Sequence, residues 1–155
     1  MKVHVYEKAF LSIGGGMLLV FLGALAFATL GAGIHLPDRA GSIDPQAVRT
    51  TPPFDDPGVR EIAPGKYEVV MVAQAWSFDP AEVRIPAGSE VTFRITSPDV
   101  IHGIHVEHTT INVMVVPGQI SEMRYTFREP REHLIICHEY CGIGHHYMYG
   151  KVIVE

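Results

Sequence analysis

Cysteine is scarce in this sequence: Cys137 and Cys141 are the only two among 155 residues. Two are too few for a disulfide scaffold, and their close spacing points to a local device instead. Charge is also sparse, at 19% of residues against 47% hydrophobic, a balance that supplies a core and excludes intrinsic disorder over most of the length. The 12 basic residues are outnumbered by 17 acidic ones, for a net charge of −5. The broad basic field that neutralises nucleic-acid phosphates is missing, so no nucleic-acid partner is expected. There is no internal repeat and no glycine-rich phosphate loop leading into a helix. The length suits one domain of roughly 100 to 150 residues, so any catalysis is small or shared with partner subunits. What the chain does have is nine histidines and one long uncharged run.

That run, AFLSIGGGMLLVFLGALAFATLGAGI from Ala9 to Ile34, has only Ser12 and Thr29 as polar side chains. As a helix rising about 1.5 Å per residue it reaches roughly 39 Å, more than the ~30 Å hydrocarbon core of a bilayer. It is expected to cross the cell membrane once. A cleaved signal peptide, suggested by Ala24, Ala26 and Ala28, is the weaker reading, because signal h-regions span only about 7 to 15 residues. Lys2 and Lys8 flank the first end, whereas the other end meets Asp38 before Arg39. The positive-inside bias therefore puts the N-terminus in the cytoplasm and the C-terminal body on the outer, periplasmic face. Gly14, Gly15, Gly16 and Gly23 would allow a neighbouring transmembrane helix to approach closely. Without Lys2, Lys8 and Glu7 the body has 10 basic and 16 acidic residues, a net charge of −6. An acidic surface of that kind either steers a cationic partner or simply keeps the body solvated.

From about 37 to 64 the composition shifts to Pro, Asp, Gly and Arg, as in TPPFDDPG, with no apolar period, and reads as an extended linker. Beyond it, short β-rich runs alternate with turn signals: KYEVVMVAQA, AEVRI, VTFRITS, IHVE, INVMVV, SEMRYTF, HLIIC and KVIVE. Val91, Phe93 and Ile95 fall on one strand face, as do Met123, Tyr125 and Phe127. About eight short strands at this spacing predict an all-β antiparallel sandwich or Greek-key barrel.

The chemistry is concentrated in IICHEYCGIGHHYMYG, where Cys137, Cys141, His145 and Met148 follow one another as Cys-x3-Cys-x3-His-x2-Met. One loop thus offers two thiolates, an imidazole and a thioether, a soft set that favours copper. Gly142 and Gly144 let the backbone curl round a metal. A further imidazole is available from SPDVIHGIHVEHTT, which contains His102, His105 and His108. Three other readings of these residues stay open. The cysteines could form a disulfide, which leaves His145 and Met148 unused. Cys137, Cys141, His145 and His102 could hold structural zinc, with Met148 as core packing. Cys141, His145, Met148 and His102 could form a mononuclear blue-copper site, which leaves Cys137 over.

Together, the anchor, the β-rich body, the SPDVIHGIHVE segment and the CHEYCGIGHHYM loop resemble subunit II of the haem-copper cytochrome c oxidases. The single anchor and short length are most similar to the ba3-type, or B-family, enzymes. The resemblance implies a membrane anchor over residues 1–36, with its span at about 9–34. It also implies a cupredoxin domain over residues 65–155 with a binuclear copper A centre. It assigns Cys137 and Cys141 as bridging thiolates, and His102 and His145 as imidazoles on separate coppers. Met148 and the backbone carbonyl of Glu139 are then the weak ligands. The implied work is one-electron relay from cytochrome c, or a similar donor, to haem in subunit I, where oxygen is reduced. Haem is expected only in that partner, and a small third subunit would complete the complex. The alternatives are a copper A subunit of a nitric oxide reductase and a membrane-anchored copper chaperone.

Two more residues are candidates for accepting the incoming electron or for supporting the ligands from behind. In AQAWSF, Gln74 takes the place where the family has the tryptophan implicated in electron uptake, and Trp76 keeps a later aromatic position. A lone tryptophan in a strand otherwise reads as core. His105 lies three residues beyond His102, so on a strand it faces the other way. His108, His133, His138 and His146 read as surface residues or as neighbours of the ligands.

Overall fold

The computed structural model describes residues 4–32 and 38–155. Lys2 and residues 33–37, which include the last two positions of the expected span and the start of the expected linker, lie outside the described residues. The chain divides into two units, Met1–His35 and Leu36–Glu155.

The first unit is helix α1 (Val5–Leu30). His4 caps it through Nδ1, which accepts the Tyr6 N–H at 3.4 Å, so the helix starts four residues before the uncharged run and takes in Glu7 and Lys8. None of its side chains is buried. By length and composition it is apolar enough to cross a membrane.

The second unit has eleven strands: β1 (Asp38–Ser42), β2 (Gly58–Ala63), β3 (Lys66–Gln74), β4 (Ser77–Asp79), β5 (Glu82–Ile85), β6 (Glu90–Thr96), β7 (His102–Val106), β8 (Asn112–Val115), β9 (Gln119–Thr126), β10 (Arg131–Ile136) and β11 (Tyr149–Val154). They form two sheets, ordered β1-β9-β6-β3-β2 with β4 on β3, and β5-β11-β10-β7-β8. Most pairs are antiparallel, but β3 with β6 and β5 with β11 are parallel, which the expectation of an antiparallel sandwich did not include.

The core between the sheets follows the period-2 pattern. Val91, Phe93 and Ile95 point inward from β6, and Met123 points inward from β9. Phe127, just past β9, packs edge-on against Phe93 and Tyr125. Each such buried side chain contributes about 1.5–3 kcal/mol of transfer free energy.

The expected linker is the main correction. Within 38–63, β1 pairs with β9 and β2 pairs with β3, and a 3-10 turn at Pro45–Thr50 lies between them. Val48 of that turn and Phe54 pack on Val70 and Val72, which leave the outer face of β3. β3 is therefore buried on both faces, and this is why its sequence reads as a continuous apolar run instead of alternating.

Candidate metal centre

β7 and β10 are antiparallel neighbours, so the start of β7 lies beside the end of β10. That register brings His102 to Cys137 across 35 residues of sequence. The loop from Cys137 to Met148 joins β10 to β11 and is held by its own backbone. Cys137 N–H donates to Met148 O at 3.2 Å, His145 N–H to Gly142 O at 3.1 Å, and Met148 N–H to His145 O at 3.1 Å. A short 3-10 turn, His145–Tyr147, swings His145 and Met148 toward the thiols.

The donor atoms divide into two sets. Cys137 Sγ lies 4.0 Å from His102 Nδ1 and 3.3 Å from the Glu139 carbonyl oxygen. Cys141 Sγ lies 3.5 Å from His145 Nδ1 and 3.6 Å from Met148 Sδ. The sulfurs are 3.8 Å apart and unbonded, so the two cysteines are free thiols here and not a disulfide. Donor atoms of His102, Cys137 and Cys141 all lie within 4.8 Å of one another, and His145 is outside that group. One ion cannot gather both imidazoles and both thiols without rearrangement, which disfavours the tetrahedral zinc set. Cys137, Cys141, Met148 and His102 are all buried.

His102 is fixed from behind by Asp99. Burial by itself would raise the Asp99 pKa, but hydrogen bonds from His102, from the Ala75 and Val100 N–H groups and from Ser97 outweigh it and hold the carboxyl below its ordinary value. Asp99 is therefore ionised at neutral pH and acts only as an acceptor, so the His102 Nε2 that it meets at 2.9 Å carries the proton. Nδ1 is the nitrogen aimed at the thiols, and in the neutral ring it is the free donor that a metal ligand needs. The other Asp99 oxygen accepts the Ala75 N–H at 2.5 Å. The SPDVIHG sequence by itself assigns Asp99 no role. A carboxylate three residues before a candidate ligand was the available signal.

Trp76 is not core. It sits in the β3–β4 turn at φ 76°, a left-handed conformation costly for a bulky side chain, and is 45% exposed. Its indole lies against the metal loop, so closely that a Cβ on Gly144 would come within 2.5 Å of the ring. Gly144→Ala is expected to displace the indole or the loop, and a shifted emission maximum of this single tryptophan would report it. An unchanged spectrum would contradict the contact. His105 is on the face of β7 opposite His102, and its Nδ1 donates to Ile111 O at 3.2 Å. His133 differs from the expected surface position. It is buried against Phe127, with Nδ1 donating to Glu107 O at 2.7 Å. His108, His138 and His146 are exposed.

The family profile for cytochrome c oxidase subunit II, periplasmic domain, matches residues 65–155. A cytochrome c oxidase subunit 2 of Thermus thermophilus is 44% identical over 99% of this chain and 94% of its own length. The chain belongs to the cytochrome c oxidase subunit II family. A chain in the cryo-EM structure of a heme-copper terminal oxidase dimer superposes with a TM-score of 0.80 at 36% identity, covering 97% of this chain and 99% of that one. The periplasmic domain of subunit II from Bradyrhizobium japonicum, at 17% identity over 57% of this chain and 83% of its own, shares the fold with a TM-score of 0.53. The β-sandwich is thus the cupredoxin-like body of an oxidase subunit II of the ba3-type kind, a CuA-type copper domain, and α1 is its single apolar helix. As part of an oxidoreductase it associates with other oxidase subunits and is anchored to the membrane.

Proposed function

We propose that this subunit receives single electrons from cytochrome c at a two-copper centre held by His102, Cys137, the Glu139 carbonyl, Cys141, His145 and Met148, and passes them to haem in subunit I. The observation that carries this reading is the division of six donors into two matched sets, each with a thiol, an imidazole and a weaker donor. When bound, a copper pair sharing one unpaired electron supplies a one-electron couple with its charge spread over both ions. The chain's own residues hold the geometry. The loop's backbone bonds and the β10–β11 pairing resist movement, Asp99 fixes the His102 ring, and burial of both cysteines keeps water from the thiolates. The oxygen-reducing site belongs to subunit I, so the isolated chain should reduce no oxygen.

The 44% identity to an oxidase subunit over nearly the whole chain favours this assignment over a nitric oxide reductase partner or a chaperone. A chaperone would also need ligands that can be handed on, whereas His102, Cys137, Cys141 and Met148 are buried. The copper domain extends over 38–155, since β1 and β2 are built into its sheet. Lys2 and Lys8 before the uncharged run support a cytoplasmic N-terminus, with the domain outside. The deciding experiment is copper analysis with low-temperature EPR on the copper-loaded full chain in detergent. Two coppers sharing one electron give a seven-line pattern, and one copper with a four-line signal would refute the pair.

Trp76 is the proposed point of electron uptake. It is an exposed aromatic from outside the metal loop that packs on it, and Tyr140, Ile143 and Tyr147 of the loop and Val100 and Ile101 just before His102 are exposed as well. Such a collar favours an apolar donor contact over a charged one. The electron-transfer rate from the donor cytochrome is expected to change by less than about twofold between roughly 0.05 and 0.5 M salt. A steep fall would identify the acidic surface as the contact instead.

Copper loading should depend on pH in a defined direction. Burial, reinforced by the neighbouring Cys137 thiol, pushes the Cys141 thiol up to about 11. Below that value the thiol is protonated and must release its proton to bind, so apparent affinity rises with pH, by about tenfold per unit for each proton displaced. Competition with a Cu(I) chelator between about pH 6 and 8 measures this. A flat profile would contradict it.

A further inference from the structure

We propose that Arg49, in the 3-10 turn between β1 and β2, is a positioning residue for Trp76. The inference rests on the reading of Trp76 as the electron-uptake point and adds the device that holds it there.

Trp76 has an unusual burden. Its backbone is left-handed and its indole is half exposed, so little core packing holds the turn. A strained conformation persists only where the surroundings over-determine it. Asp99 grips the turn from the metal side through the Ala75 N–H. Arg49 grips it from the other side. Its Nη1 donates to Asp79 Oδ2 at 2.6 Å and its Nη2 to Gln74 Oε1 at 2.6 Å. Gln74 ends β3 and Asp79 ends β4, so one planar guanidinium spans the two strands that carry the Ala75–Trp76 turn.

Arg49 is itself well placed to act as a fixed point. Asp44 caps its 3-10 turn by accepting the Gln46 N–H, and the next residue back, Val48, is fully buried on Val70 and Val72. The ion pair is partly solvated, with side chains 39% and 46% exposed, so its contribution to global stability is small. Its geometry, one donor to each strand, is what a brace requires. Gln74 thus acquires a use at the place where the family's tryptophan is missing: it is one arm of the clamp.

The test uses the full chain, copper-loaded in detergent, and exploits the fact that Trp76 is the only tryptophan. Arg49→Ala is expected to raise the acrylamide quenching constant of Trp76 by about twofold as the indole loosens from the loop. Copper content and the EPR signal should be unchanged. Gln74→Ala, which removes one arm and leaves Val48 and its packing alone, is expected to give a smaller change. The double variant should fall short of the sum of the two, because both remove one interaction. Lys66→Ala, which breaks a comparably exposed ion pair with Glu90 elsewhere on the sheet, should have no effect. If Arg49→Ala and Gln74→Ala both leave quenching unchanged while copper is retained, the brace is overturned. The uptake reading fails separately, if Trp76 loosens as expected and the rate of electron transfer from the donor cytochrome does not change.

Discussion

Cys137→Ser is expected to convert the seven-line EPR pattern of the proposed copper pair to a four-line one and to halve the copper content of the full chain. Cys137 is buried, and serine is close to it in shape, so the sandwich should survive the change. What serine lacks is a soft, readily ionised donor for copper. Losing the Cys137 sulfur strands His102 Nδ1 and the Glu139 carbonyl, which lie on its side of the pair at 4.0 Å and 3.3 Å. Cys141, His145 and Met148 remain together and suffice for a single ion. Electron delocalisation needs both sulfurs, so the remaining copper should behave as an ordinary mononuclear site. A variant that kept two coppers and the seven-line pattern would show that Cys137 is not a bridge. It would also revive the blue-copper reading in which this residue is spare.

The loop and its distant histidine were legible in the sequence for different reasons. Cys137, Cys141, His145 and Met148 fall within twelve residues, and a chain that short can hardly keep them apart. His102 is one of three candidate histidines in its segment and is assigned to a copper only through resemblance, because the β7–β10 register that delivers it is a tertiary fact. Residues 38–63 were misread because nothing local marks them. DRAGS has little β propensity and GVREIA offers only Val59 and Ile62, so their pairing is decided by the strands they meet. The continuous apolar run of β3 held the missing clue, since a strand buried on both faces requires something to cover the second face. Trp76 reads from the sequence either as a candidate for electron uptake or as core, and the turn residues and the paired glycines of the loop put it outside the core. Asp99 and Arg49 were not assigned roles because a charged side chain in a loop has no periodicity to read. Their partners are 24 to 30 residues away or reached across a turn.

Asp99→Asn is expected to weaken copper binding by about 10- to 100-fold and to raise the reduction potential, with the fold intact. The affinity loss follows from the acceptor count. Both carboxylate oxygens are engaged: Oδ1 accepts from His102 Nε2 at 2.9 Å, from the Val100 N–H at 2.6 Å and from the Ser97 hydroxyl at 3.0 Å, and Oδ2 accepts from the Ala75 N–H at 2.5 Å. An amide has one oxygen, so its NH2 group must face either Ala75 N–H or the histidine, donor against donor. A hydrogen bond to a charged group contributes about 1.5–3 kcal/mol, roughly 13- to 160-fold, which is of the same order. The potential shift has a separate origin, because a negative charge next to the site stabilises the more positive, oxidised state and its removal favours reduction. A merely structural carboxylate would alter affinity without moving the potential in that direction. Chelator competition gives the first quantity and voltammetry the second. An unchanged affinity and potential in Asp99→Asn would mean that His102 is oriented by β7 alone, and that the carboxylate behind it serves only the turn that carries Trp76.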